Sequence, residues 1–175
     1  MVRPGGRALD LAAGGGRHSR LLLEHGLAVT AVDRDPDQQA DAPGLIKIAA
    51  DLETGAPWPL CGRQFDLVVV TNYLHRPILA DIVDAVGPRG LLLYETFALG
   101  NERFGKPSNP DFLLRPGELK AAVAGRLRII GYEEVELGAP RPAAVQRIAA
   151  RAGARSDQVV STRSVNLALT PSSSG

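Results

Sequence analysis

The chain has 175 residues, with 20 lysines and arginines against 19 aspartates and glutamates, for a formal charge of +1. That length suits one domain with a substantial core, and the balanced charge excludes a bulk field that would draw the chain onto nucleic acid or an anionic membrane. The lone Cys61 excludes an internal disulfide, the opening MVRPGGRALD has no apolar leader and no apolar run approaches a membrane span, so the expectation is a cytoplasmic protein that recognises its partner locally.

In chain order, ALDLAA (8–13) reads as a strand and HSRLLLEHG (18–26) as a helix that puts Leu21, Leu22 and His25 on one face and stops at Gly26. LAVTAVD (27–33), LIKIAAD (45–51) and FDLVVVT (65–71) are three further strands. PILADIVDAVG (77–87) is a helix with Pro77 in its first turn and Gly87 as its stop, and GLLLYETF (90–97) is a fifth strand. Continuous apolar strands alternating with helices imply an α/β, doubly wound, mostly parallel sheet. A polar stretch over 98–119 is too long for an ordinary connector, and loops of that size are functional or disordered. A helix then begins at Pro116 and closes near Gly125, followed by strand LRIIGYEEVEL (127–137) and strand AAVQRIAARAG (143–153), with GAPRP suiting an antiparallel connection between them. The domain is thus expected over 1–153, and 154–175 is a tail in which VNLAL offers one added strand before a disordered TPSSSG end.

The stretch LDLAAGGGRHS (9–19) carries the chemistry. Gly14, Gly15 and Gly16 turn a first parallel strand into a helix, where open α/β sheets hold nucleotide-like ligands on bare backbone and helix amides. As a dinucleotide fingerprint the turn is imperfect, because Ser19 stands where G-x-G-x-x-G asks for its third glycine. Asp10, just before the turn, gains nothing from a pyrophosphate but suits a ligand with an ammonium group.

These residues resemble the first motif of the class I S-adenosylmethionine-dependent methyltransferases, an acid followed by three glycines at alternate positions: here Asp10, then Ala12 in place of the first glycine, Gly14 and Gly16. The similarity extends over about residues 8 to 153 and is nearest to small bacterial methyltransferases of the tellurite-resistance and thiopurine-methylating kind. It implies a Rossmann-like sheet binding S-adenosylmethionine and releasing S-adenosylhomocysteine. By that resemblance Asp10, Ala12, Gly14, Gly15 and Gly16 wrap the amino-acid end of the cofactor. Asp33, with Arg34 beside it, takes the ribose hydroxyls, Asp51 and the Leu52 amide read the adenine, and Asn72 follows the fourth strand at the same site. Alanine at 12 gives up a glycine's freedom at positive φ. Relatives also carry a leading helix over the cofactor, whereas Met1 lies seven residues before Ala8, so the expectation is either a more open cofactor or a chain start from which that cover has been removed.

Three acids at the ends of three successive strands converge on one sheet edge. A nicotinamide-dependent oxidoreductase accounts for Asp33 but not for Asp10 or Asp51, while Ala12 and the short N-terminus leave open a cofactor-binding protein without activity, or a partner subunit. Methyl transfer asks mainly for alignment, and a general base is optional. Tyr73, His75 and Glu95 are the candidate catalytic groups. Asn101, Arg103 and Lys106, on a loop read as a lid, are the candidates for binding a small-molecule acceptor. Tyr73, Phe97, Phe104 and Phe112 are candidate pocket aromatics. His18 and His25 lack a Cys or His cluster, so no metal site is expected; neither nucleic acid nor membrane is expected as a partner, and the assembly is a monomer or homodimer.

Overall fold

The computed structural model describes residues 3–154; the expected added strand and chain end lie outside them, apart from Ala154. Five strands, β1 (Arg7–Leu11), β2 (Ala28–Asp33), β3 (Leu45–Ala49), β4 (Phe65–Thr71) and β5 (Val86–Phe97), run parallel, and β6 (Leu127–Leu137) and β7 (Ala143–Ala152) complete a sheet ordered β3-β2-β1-β4-β5-β7-β6. Strand β7 lies antiparallel to both neighbours. This is the doubly wound α/β sheet read from the alternating pattern, with its antiparallel C-terminal strand.

Alternation along the strands sorts the core into two layers. Leu9, Leu11, Val68, Val70, Leu92 and Ile148 face helices α2 (Leu79–Asp84) and α3 (Glu118–Val123), which contribute Ile82, Val83, Leu119 and Val123. On the other face Ala8, Val29, Leu67 and Val69 meet Leu22 of α1 (Arg17–Glu24). Helix α1 turns Ser19 and Leu22 inward and leaves Leu21 50% exposed, which corrects the expected face of Leu21, Leu22 and His25. Beyond α1, the same face of β5, β7 and β6 stays open among the described residues, and Leu93 is 38% exposed there.

The helix expected over 77–87 is shorter, a 3-10 turn over Arg76–Ile78 followed by α2, and Gly87 lies within β5 instead of ending the helix. The physical reason is a bulge: Phe65 pairs with Val86 but Leu67 with Leu91, Arg89 takes φ 61, and a Cβ at Gly90 would fall 2.7 Å from the Gly87 carbonyl oxygen. Glycine therefore lets the strand fold against its own bulge, where a break was expected.

Candidate functional site

The carboxyl ends of β1 to β4 meet around the loop that leaves β1. Its alternate positions Ala12, Gly14 and Gly16 all take left-handed backbone, with φ of 54, 50 and 72. That is why the sequence places small residues at every second position there. The loop is tied from β2: the Gly14 amide donates to Asp33 Oδ2 at 2.7 Å and the Asp35 amide to Asp33 Oδ1 at 3.0 Å. Gly16 also has no room for a side chain, since a Cβ would lie 2.8 Å from the Gln39 amide oxygen, and the Gln39 amide is buried without a hydrogen-bond partner.

Asp10 sits behind the loop, 1% exposed, and accepts a 2.6 Å hydrogen bond from the Ser19 hydroxyl. Burial pushes its carboxyl above the usual carboxylate range, and the Ser19 bond opposes that shift. Asp10 thus braces the start of α1 and contributes charge from beneath the loop, without an exposed face of its own.

A hollow of about 230 Å³ opens beside the loop, with Ala12, Asp33, Arg34, Asp51 and Leu52 on its walls together with Ala50, Glu53 and Tyr73. Asp51 Oδ1 accepts from the Glu53 amide at 3.0 Å, which turns the chain around the hollow. The Tyr73 hydroxyl is buried without a partner. Burial, with the carboxylates of Glu53, Asp51 and Asp33 around it, raises its pKa far above that of an ordinary phenol. Tyr73 thus forms part of the wall of the acid-lined hollow, with its hydroxyl protonated, buried and unpaired. Its backbone is held from below, where the buried Tyr94 hydroxyl donates to the Tyr73 carbonyl at 2.9 Å. Asn72 makes the strand-to-loop turn in left-handed backbone, φ 54, and its amide bonds the Glu95 carbonyl at 2.9 Å.

The remaining expected residues separate. Glu95 lines a second hollow of about 390 Å³ on the open face, with His18, Thr71, Glu133 and Arg147. Glu95 is ion-paired with Arg147, and His18 Nδ1 lies 3.2 Å from Thr71 Oγ1. His75 stands just before the 3-10 turn that leads into α2, with no capping bond from its side chain, and lines neither hollow.

Asn101 is 2% exposed, its amide nitrogen donating to the Pro107 carbonyl and its oxygen accepting from the Ala144 amide. All of its polar side-chain atoms hold the loop together, which corrects its expected role as an acceptor ligand. Arg103 pairs with Glu136 at 2.5 Å and lies over the Phe104 ring, and neither it nor Lys106 lines either hollow. The loop read as a lid is pinned at its base, because Leu113 and Leu114 are fully buried and Leu99 and Leu114 bond across it. Arg76, unremarked in the sequence, holds the same loop by bonds to both Glu118 oxygens and to the Asp111 and Leu113 carbonyls. His18, weighed in the sequence only as a metal ligand, reaches Thr71 from α1, while Thr71, Arg147 and Glu133 carry no local signal because only strand pairing brings them together.

Residues 9–92 match the methyltransferase domain family. Over that stretch the chain is similar to a methyltransferase domain. A segment of 39 residues is 59% identical to Ribosomal RNA small subunit methyltransferase H of Nostoc, covering 21% of this chain but 13% of that protein. Over the whole domain the likeness is one of fold. TehB from Haemophilus influenzae superposes with a TM-score of 0.63 at 19% identity, over 85% of this chain and 58% of that one. The 1,6-didemethyltoxoflavin-N1-methyltransferase of Burkholderia thailandensis, crystallised with 1,6-didemethyltoxoflavin and S-adenosylhomocysteine, gives 0.60 at 20% identity, over 86% and 72%.

The methyltransferase domain's cofactor, S-adenosylmethionine, suits the residues present. Its ribose and adenine offer donors to Asp33 and Asp51, and the orphaned Tyr73 hydroxyl is a ready donor inside the same hollow. Among the described residues no group of His, Cys, Asp and Glu could hold a metal, and no helix is long and apolar enough to cross a membrane.

Proposed function

We propose that the protein transfers the methyl group of S-adenosylmethionine to a small-molecule acceptor. The observation that carries this reading is the joining of Asp33, Asp51 and the partnerless Tyr73 hydroxyl in one hollow beside a left-handed loop. Asp33 accepts from the ribose hydroxyls while keeping its bond to Gly14, and Asp51 with the Leu52 amide takes the adenine edge. Arg34 lines the hollow beside Asp33. Gly14, Gly15 and Gly16 present bare backbone to the amino-acid end, with the Asp10 charge beneath.

When bound, the cofactor supplies an activated methyl group, so the protein has chiefly to align the acceptor with it and keep water out. Placement alone accounts for up to about 7 to 11 kcal/mol of barrier lowering. Glu95 is engaged by Arg147 and acts as a charged wall. His18, second residue of α1 and adjacent to the loop, is the group placed to receive a proton from the acceptor.

Ala12 holds φ 54, the conformation its glycine counterpart would supply, which favours a working loop over an inactive one. A nicotinamide enzyme leaves the Asp51 wall unexplained. Calorimetric titration decides: S-adenosylhomocysteine should bind, NADH and NADPH should not, and Asp51→Asn should weaken the first. Binding of the nicotinamides alone would overturn the reading.

A further inference from the structure

We infer that the hollow on the open sheet face is the acceptor site and that it selects a flat, apolar molecule bearing a basic nitrogen; this rests on the methyl-transfer reading above. The hollow is built from two adjacent rows of the sheet. Thr71 pairs with Glu95, Glu95 with Arg147 and Arg147 with Glu133, which makes one polar row across β4, β5, β7 and β6. Two residues along each strand, Val69 pairs with Leu93, Leu93 with Ala149 and Ala149 with Gly131, which makes an apolar row on the same face. The concavity follows from composition: Ala149 and Gly131 have little or no side chain, while Leu93 and the polar row stand up around them.

The shape therefore receives a flat apolar body over the second row, and the first row, which lines the hollow, sets the charge at that edge, while Arg151 and Arg128 pair beyond the apolar row outside the hollow's lining. Arg147 pairs with Glu95 and lies 3.6 Å from Glu133, so two carboxylates face one guanidinium and the row carries a net negative charge. An anionic acceptor would meet that surplus directly, whereas a basic nitrogen is attracted to it. His18 stands at the end of the row nearest the glycine loop, bonded to Thr71. The nitrogen binds as its protonated form and first gives a proton to the His18 imidazole. The lone pair so freed then joins the methyl carbon as the carbon–sulfur bond breaks and its electron pair stays on sulfur.

The test uses the full chain with two probes of one shape and opposite charge, 2-naphthylmethylamine and 2-naphthoate, titrated with and without saturating S-adenosylhomocysteine. The amine should bind about tenfold tighter than the carboxylate, the scale of one partly screened charge contact. Glu95→Gln with Glu133→Gln turns the row's charge from negative to positive and should invert that preference. Gly131→Val should abolish binding of both probes, since its side chain enters the hollow. It should leave melting temperature and S-adenosylhomocysteine affinity unchanged, because a Cβ there meets nothing within 4 Å.

Equal affinity for the two probes, or amine binding that survives Gly131→Val, would overturn the assignment. So would a change of oligomeric state in Gly131→Val by sedimentation, which would make the hollow an interface between copies. Failure of S-adenosylhomocysteine to bind the parent protein overturns the methyl-transfer reading instead, and the probe comparison in the unliganded protein still judges the hollow.

Discussion

Asp33 Oδ2 accepts the Gly14 amide at 2.7 Å, so the acid ending β2 holds the glycine loop that leaves β1. One carboxylate thus serves as loop tether and as the proposed ribose acceptor, and its removal should show both losses. Asp33→Ala should weaken S-adenosylmethionine binding by about a hundredfold, the scale of two lost hydrogen bonds to a charged group. It should also speed hydrogen exchange at the Gly14 amide. Unaltered calorimetric affinity would remove Asp33 from the site.

Gly14 and Gly16 should fail in different ways. A Cβ at Gly14 meets no atom within 4 Å, so Gly14→Val costs only the strain of a branched residue at φ 50, about 1–2 kcal/mol, and should give a folded protein that no longer binds the cofactor. Gly16→Ala meets the Gln39 side chain at 2.8 Å and should lower the melting temperature further. Adding Gln39→Ala should recover part of that loss. Normal cofactor binding by a folded Gly14→Val would reduce the loop to a connector.

Asp10 gives a pH signature. Burial raises its pKa against the Ser19 bond, so the folded state keeps the proton at pH values where the unfolded chain, at about 3.9, has lost it. The contribution of this group to stability is greatest below that value and declines as pH rises through the folded pKa. Asp10→Asn removes the buried charge and should flatten this decline, making the variant relatively more stable at pH 7.5 than at pH 4, with weaker cofactor binding. Urea unfolding at both pH values checks it. An equal loss at the two would show that the Ser19 bond outweighs the charge.

The Arg76–Glu118 pair behaves with the opposite sign. Burial would raise the Glu118 pKa, but bonds from Arg76 and from the Arg115 amide hold it below its ordinary value, and Arg76 is correspondingly raised. The stabilisation is present above an unfolded pKa of about 4.3 and is lost as pH falls through the depressed folded value. Arg76→Ala strands a mostly buried carboxylate and should cost about 2–3 kcal/mol at pH 7, less than a fully buried pair. It should also free the 98–117 loop, seen as faster exchange at Leu113. A loss below about 0.5 kcal/mol would show that Arg76 does not hold the loop.

His18→Gln separates chemistry from binding. If the imidazole receives the acceptor's proton, turnover should fall by about 10² to 10⁴-fold, the usual contribution of such a group, at unchanged S-adenosylhomocysteine affinity. Turnover equal to the parent's would leave the proton to solvent.

The sequence by itself determined the parallel sheet, the glycine loop and its acids, because each is written in local terms. Apolar runs demand burial, positions 12, 14 and 16 demand small residues for left-handed backbone, and Asp33 ends and Asp51 closely follows strands that an α/β sheet aligns at one edge. Tertiary structure decided what depends on pairing. Glu95 meets Arg147 and Glu133 only through the register of β5, β7 and β6, and nothing local to any of those strands specifies it. Asn101 reads as a free polar group until the Ala144 amide and Pro107 carbonyl close on it, and Gly87 reads as a helix stop until the Phe65 backbone occupies the space a side chain would need. In each case the deciding partner lies on a separate element or across a bulge, and only folding supplies that contact.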